Sequence, residues 1–457
     1  MRRFPIGPCR QAWGRFQARP LLRVRVYAAV VLALSAMFLF RGLRQGGALG
    51  GNRSNDFAAY HTAARGVLRG ELESSYRAAR PYQYPPTLAV LLAPLGLLPA
   101  RAASLLWTAG NLALLLWMLR LSREALGPPM AGLDQVLGLL LIARAAESDF
   151  ANGNANTLVL FFLIFGLAIA RRGSGAAGGS LLALAGLMKL TPLLLLPWIL
   201  WRRRWNLALG FLIGLVLWGG VLPALVLGPL PFARAWGAFY QETLRPLAGG
   251  GELARGAAPV RYEAGQSLHA LLHRLLSPTD ATAHDEAVVK VNVADLPRRA
   301  VDAVYLAGSA VVLGALCFRF RGKAREWEAG EVGAVLSAMV LLSPLSRKAH
   351  FVALFPAGAA GSAAIRESCP GRRGTGLALW IAAFALVDLT APALVGRQVA
   401  TWILAFCPFG LAAGLLLALS TLRPGQPPVA SRPPPSISEP PAASHQPPAE
   451  PLTPPQS

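Results

Sequence analysis

Apolar runs recur from Val24 to Leu419 of this 457-residue chain, separated by short Arg-bearing loops. Each is long enough, or nearly so, to cross a hydrocarbon core about 30 Å thick. The chain is therefore expected to be an all-α polytopic membrane protein. Composition agrees, with 54% hydrophobic residues, 14% charged residues and a mean hydropathy of +0.45. The net charge of +22 raises the question of nucleic acid, but the basic residues sit in clusters between apolar runs. That is the pattern of cytoplasmic loops, whereas a nucleic-acid surface gathers its cations on one soluble face. No nucleic-acid partner is expected. Cys9, Cys317, Cys369 and Cys407 are scattered and carry no metal or redox spacing.

Residues 1–23 read as an Arg-rich cytoplasmic lead-in, and the run from Val24 lacks a cleavage site, so it reads as a retained helix. The expected membrane body is 24–420, with a first outer loop at 41–84 and a long outer loop at 228–299. Pro86–Pro99 is short and contains Pro94, and reads as a half-helix that dips in. Full or near-full spans are expected at Val24–Phe40, Ala102–Leu119, Leu133–Ala146 and Thr157–Ala170. Gly178–Met188 and Thr191–Leu200 form a broken pair. Leu207–Leu227, Val301–Phe318, Val332–Leu342, Phe351–Ile365, Leu377–Ala391 and Val399–Leu419 follow. Residues 421–457, rich in Pro, are expected to be a disordered cytoplasmic tail.

Five clusters set the orientation: Arg120/Arg123, Arg171/Arg172, Arg202–Arg204, Arg319/Arg321/Lys323/Arg325 and Arg366/Arg372/Arg373. They share the cytoplasmic side if Pro86–Pro99 is not a crossing, which gives about twelve crossings and two cytoplasmic termini. The first loop, with seven Arg against six in the lead-in, does not follow this trend. The polar membrane-edge stretches then collect outside: Asp56, Glu147–Asn156, Lys189–Pro192, the long insert and Ser343–His350.

Asp56 is the first acid in the chain, after ten Arg residues. It opens a segment in which Phe57, Tyr60, Ala64, Val67 and Leu68 fall at helical spacing opposite His61, Arg65 and Arg69. That describes an amphipathic helix on the membrane surface, with Asp56 either capping its dipole or serving chemistry. Only four Lys accompany forty Arg, so the places of Lys189 and Lys348 carry information. Lys189 at the end of an apolar run either snorkels to headgroups or meets an anion. Arg347 and Lys348, two residues before His350, bring positive charge to an outer helix end, against the orientation trend. Cations at membrane depth beside a carboxylate suit sugar transfer from a polyprenyl phosphate. The cations hold the phosphate, and the acid takes the acceptor proton. His350 adds a hydrogen bond or is packed at the boundary. Glu147 and Asp149 are second-rank acids. Dispersed His residues and the lack of Asp-x-Asp favour a metal-free, cofactor-free mechanism.

Eight pieces occur in order. They are Asn55-Asp56-Phe57-x-x-Tyr60, Tyr84-Pro85-Pro86, Leu95-x-x-Leu98-Pro99, Trp107-x-x-x-Asn111 and Gly153-Asn154-x-Asn156, then Gly186–Pro192, Gln266-Ser267-Leu268 and Ser343-Pro344…His350. Together they resemble glycosyltransferase family 87, over about residues 24–420. The resemblance implies a GT-C-type fold. It also implies inverting transfer of a sugar, mannose first, from a polyprenyl-phosphate-sugar donor to a glycolipid or glycan acceptor outside the membrane, with Asp56 as general base. Tyr60, His61, Tyr84, Asn154, Asn156, Lys189, Arg347, Lys348 and His350 are the expected substrate-binding residues. Asn154 stands where the family has Gln, Arg347 where Trp is frequent, and Ala349 where the first His of a pair falls. The rival class is a transporter or flippase of a lipid-linked sugar, which would show internal repeats and broken helices near the midplane. No repeat is visible. The abundance of Arg, Ala, Gly and Pro suggests a GC-rich bacterial genome and an inner-membrane location.

Overall fold

The computed structural model describes residues 19–46, 49, 56–127, 130–248, 264–282, 288–321 and 327–421. Expectations for residues 1–18, Asn55, 249–263, Lys323, Arg325 and 422–457 lie outside the described residues.

The described chain is helical apart from one antiparallel pair, Ala281–Thr282 with Val288–Val289. Its order begins with α1 (Pro20–Gln45), α2 (Asp56–Arg69), α3 (Pro86–Gly96) and α4 (Ala100–Leu126). Next come α5 (Gly132–Leu141), α6 (Ala143–Ala151), α7 (Asn156–Arg171) and α8 (Gly175–Met188). A segment Thr191–Trp201 leads to α9 (Trp205–Leu227), and the insert carries α10 (Leu268–Leu276). The rest is α11 (Arg298–Phe320), α12 (Ala329–Leu342), α13 (Phe355–Glu367), α14 (Pro370–Phe384), α15 (Arg397–Ala405) and α16 (Pro408–Thr421).

Four helices, α1, α4, α9 and α11, are long and apolar enough to cross a membrane, and α15–α16, bent by 53°, make a fifth if counted as one span. Six further apolar helices run 10–17 residues. A straight crossing takes about 20 residues, so helix length alone does not reach the expected count of about twelve. Several expected spans are interrupted. Leu133–Ala146 breaks at Ile142, whose φ of −103° and ψ of 8° leave the helical region between α5 and α6. Phe351–Ile365 begins inside a 3₁₀ stretch, Lys348–Leu354, before α13. The α15–α16 bend falls at Cys407, with φ of 51°. The half-helix reading of Pro86–Pro99 matches α3, which ends at Gly96 with Pro94 in its last turn.

Small residues permit the tightest crossing. A Cβ at Gly179 of α8 would lie 2.1 Å from Leu207 O, and one at Gly210 of α9 would lie 2.0 Å from Ala176 O. Neither position has room for a side chain, so the two backbones meet directly. Gly96 likewise lets α3 seat against Ala64 of α2. On α2, Phe57, Tyr60, Ala64 and Val67 are buried as the spacing predicts, but Leu68 is 46% exposed and His61, expected on the polar stripe, is buried.

The basic clusters are joined to one another at one end of the helical body. Arg171 donates to Leu126 O and Trp327 O, Arg172 pairs with Glu124, and Arg123 donates to Gln135. Arg202 pairs with the fully buried Glu331 at 3.0 Å and donates to Phe320 O, while Arg319 donates to Thr421 O. Arg366 pairs with buried Asp134. The pairs with Arg202 and Arg366 give a charged partner to two carboxylates that would be costly if left unpaired away from water. The helices α7, α8 and α12 each run between this end and the opposite one, where Asn156, Lys189 and Ser343 lie.

Candidate functional site

At the opposite end, α2 begins with Asp56, whose N–H donates to Asn152 O at 2.8 Å. This bond ties the first loop to the turn after α6. That turn reverses at Gly153 (φ 61°), and Trp107 of α4 holds it by donating Nε1 to Gly153 O at 3.0 Å. The Trp107 ring packs 5.7 Å from both Phe57 and Tyr60. Tyr60 in turn lies edge-on to Tyr84 at 5.3 Å and to Tyr82 at 6.5 Å. Tyr82 OH donates to Pro85 O and Tyr76 OH donates to Tyr84 O, fixing the Tyr-Pro-Pro entry into α3. Asp56 thus starts a helix seated on an aromatic wall. Burial holds the Tyr60 phenol well above the usual tyrosine range, so it stays a neutral hydroxyl.

The polar hinge is organised by Asp149, which is 1% exposed. One carboxylate oxygen accepts from Asn156 Nδ2 at 2.7 Å. The other accepts from Thr157 N–H at 2.9 Å and Thr157 Oγ1 at 2.6 Å. A carboxylate here satisfies the open N–H groups of α7 and complements its dipole. Asn156, so oriented, accepts from Lys189 Nζ with its Oδ1. Lys189 emerges where α8 ends and its backbone turns extended, and its ammonium lies 5.7 Å from the centre of the Tyr84 ring. Electrostatic coupling links Lys189 to Asp149, Asp56 and Arg347, and links Tyr84 to Asp56, Arg347 and Asp149.

The third contribution is the turn between α12 and α13. His350 Nδ1 accepts from Arg347 N–H at 2.7 Å, so only Nε2 carries the proton of the neutral ring. The insert braces this turn. Gln266 N–H donates to Ser346 O at 2.7 Å, Ser267 Oγ donates to Pro344 O at 3.1 Å, and Gly265 bridges Arg347 in antiparallel fashion. Ser267 also caps α10 through Ala270 N–H at 3.1 Å. Gln266 reaches the α15–α16 break through Leu404 O, as does the fully buried Arg274, which contacts Leu404 O, Ala405 O and Gly265 O. The Gln-Ser-Leu motif is therefore a fastening between the insert and the Arg347 turn.

Between these elements opens a cleft with Asn156, Lys189, Thr191 and His350 at its polar head. Apolar side chains of α7 (Val159, Leu160, Leu163) and α12 (Met339, Val340) form its body.

The structure brings Asp56, Tyr60, Tyr84, Asn156, Lys189, Arg347 and His350 together. His61 Nε2 meets Leu98 O at 3.1 Å, a packing contact between α2 and the turn after α3. Asn154 donates its N–H to Asp149 O within the hinge. Lys348 begins the 3₁₀ stretch and is partly buried. Of the two second-rank acids, Glu147 pairs with Arg41 of α1, and Asp149 is engaged by Asn156 and Thr157. Sequence reasoning missed the bracing roles of Asp149 and Trp107. The former had a signal, a carboxylate seven residues before a run that starts Asn-Thr. The histidines look dispersed along the sequence, yet His269 and His273 sit one turn apart and both meet Asp302.

No curated protein and no solved structure matches the chain. The profile of glycosyltransferase family 87 matches residues 82–344, more than half of the chain and most of the elements that build this cleft. With its apolar crossing helices and this match, the chain belongs to glycosyltransferase family 87 and is a membrane glycosyltransferase.

Proposed function

We propose that this enzyme transfers a sugar, with mannose as the first choice, from a polyprenyl-phosphate donor to a glycolipid or glycan acceptor at the extracytoplasmic face of a bacterial inner membrane. The observation that carries the reading is a buried cation, Lys189, at the polar head of an apolar cleft with Asn156 and His350, and with the Asp56 carboxylate and the Arg347 guanidinium both in its electrostatic neighbourhood. The prenyl chain lies along the α7 and α12 side chains, and its phosphate meets Lys189 and Arg347 as charge-assisted partners. The acceptor hydroxyl oxygen attacks the anomeric carbon while Asp56 accepts its proton. The carbon–oxygen bond to phosphate breaks, and polyprenyl phosphate leaves with the electron pair. Attack opposite the leaving group inverts the anomeric centre. The cations stabilise the departing phosphate, so the step needs no metal. His350 is placed to donate from Nε2.

The same reading treats residues 24–420 as one catalytic unit in a GT-C-type arrangement. The shorter helices also cross, giving about twelve passages with both termini cytoplasmic. The junction of all five basic clusters at one end, opposite the cleft, supports this orientation.

The test is transfer by purified protein in nanodiscs, with labelled polyprenyl-phosphate-mannose and its glucose and arabinose counterparts over a mixed lipid extract. Label moving into lipid or glycan, with inverted anomeric configuration, is the expected result. Retention of configuration, or no transfer from any of the three, overturns the reading.

A further inference from the structure

We propose that His269, His273 and Asp302 form a binding site for one divalent transition-metal ion of the zinc type, which clasps the insert helix α10 to α11. The two histidines are four residues apart, so they share one face of α10. Their Nε2 atoms lie 3.1 Å and 2.8 Å from the same oxygen, Asp302 Oδ1, and the rings are 4.4 Å apart between centroids. All three ligand atoms fall within 4.8 Å of one another. Tetrahedral zinc, with bonds of about 2.0–2.1 Å, sets its ligands roughly 3.3 Å apart. The two nitrogen–oxygen separations need to widen only by a few tenths of an ångström to admit the ion.

The surroundings favour a metal over a bare hydrogen-bonded cluster. The His273 side chain is 6% exposed and that of His269 20%, while Asp302 is 50% exposed. The nitrogen side of the site is therefore dry, and the carboxylate side opens to solvent for a water as fourth ligand. Tyr305 stands edge-on to the His269 ring at 5.0 Å and limits its rotation.

Its position gives the ion a purpose distinct from chemistry. Directly upstream of α10, Gly265, Gln266 and Ser267 hold the backbone of Pro344, Ser346 and Arg347. On α11, Tyr305 OH donates to Leu342 O at the end of α12. An ion joining α10 to α11 therefore fixes both flanks of the turn that presents Arg347. The proposed transfer step remains metal-free, and the ion is structural.

The experiment uses the full chain, purified without chelator, with metal content measured by mass spectrometry. After EDTA treatment it is titrated with Co²⁺ and followed by visible absorption and thermal melting. The expected result is about one zinc per chain, intense low-symmetry cobalt bands displaced by Zn²⁺, and a melting temperature that falls with EDTA and recovers with zinc. Asp302→Asn, at a half-exposed position that keeps a hydrogen-bond acceptor, and His269→Gln should fold but lose the bands and the melting response. Folded parent without bound metal and with only an octahedral aquo-cobalt spectrum overturns the proposal. So do bands that survive in both variants.

Discussion

Lys189 donates its ammonium proton to the carboxamide oxygen of Asn156, while the other end of that carboxamide is held by Asp149. Three residues from three helical segments thus set the height of one cation at the head of the cleft. Replacing Lys189 by Met removes the cation and leaves Asn156 Oδ1 without this donor. Loss of one preorganised electrostatic partner lowers turnover by about 10²–10³-fold. An initial-rate assay over donor concentration checks this. Arginine at 189 should recover part of the loss, because the charge returns while the geometry does not.

Asp149→Asn is a structural lesion first. The amide nitrogen cannot accept from Thr157, and the α7 terminus loses a charged cap, at a cost of about 0.5–2 kcal/mol. Melting in detergent should show a clear drop, with activity falling because Asn156 and Lys189 lose their support. An unchanged melting temperature would mean that Asp149 does not serve as the cap described.

The crossing of α8 and α9 leaves no space at Gly179 or Gly210. Gly210→Val should yield little monodisperse protein by size-exclusion chromatography, since overpacking of this kind costs about 1–3 kcal/mol or more. Gly220→Ala, on the same helix with open space around it, is the matched control and should be recovered normally.

Orientation is read with cysteines. Cys369 is exposed beside the basic end, and Arg397 is exposed beyond the far end of α14. With the other cysteines removed, Cys369 should resist a membrane-impermeant maleimide in intact cells and react after permeabilisation. Arg397→Cys, in a background without native cysteines, should react in intact cells. The reverse labelling would invert the topology.

Much of the site is legible in the sequence because the membrane makes polar residues conspicuous. Asp56 among many arginines, and Lys189 closing an apolar run, stand out since charge near hydrocarbon needs a partner. Arg347 stands out by opposing the orientation trend. Periodicity also finds the buried face of α2, but not His61, whose burial depends on a carbonyl 37 residues away, at Leu98. The helix boundaries are less legible. The break at Ile142 has no Gly or Pro beside it, and the 3₁₀ turns continue through the apolar Phe351–Leu354 where a helix is expected. The meeting of α10 with Asp302 is a tertiary event, and only the four-residue spacing of His269 and His273 hints at it. The fully buried Arg274 looks like an ordinary surface cation in sequence, because it meets backbone carbonyls and the Cys407 sulfur more than a hundred residues downstream, and one carbonyl just upstream.

The most direct test of the central claim is single-turnover transfer by Asp56→Asn beside the parent, with donor binding measured in the same nanodiscs. Asparagine preserves shape and can still cap α2, so fold and donor affinity should hold while the rate falls by about 10²–10⁴-fold, the range for loss of a general base. A folded Asp56→Asn protein that transfers sugar at the parent's rate would contradict the account, leaving Asp56 as a helix cap and no base at the head of the cleft.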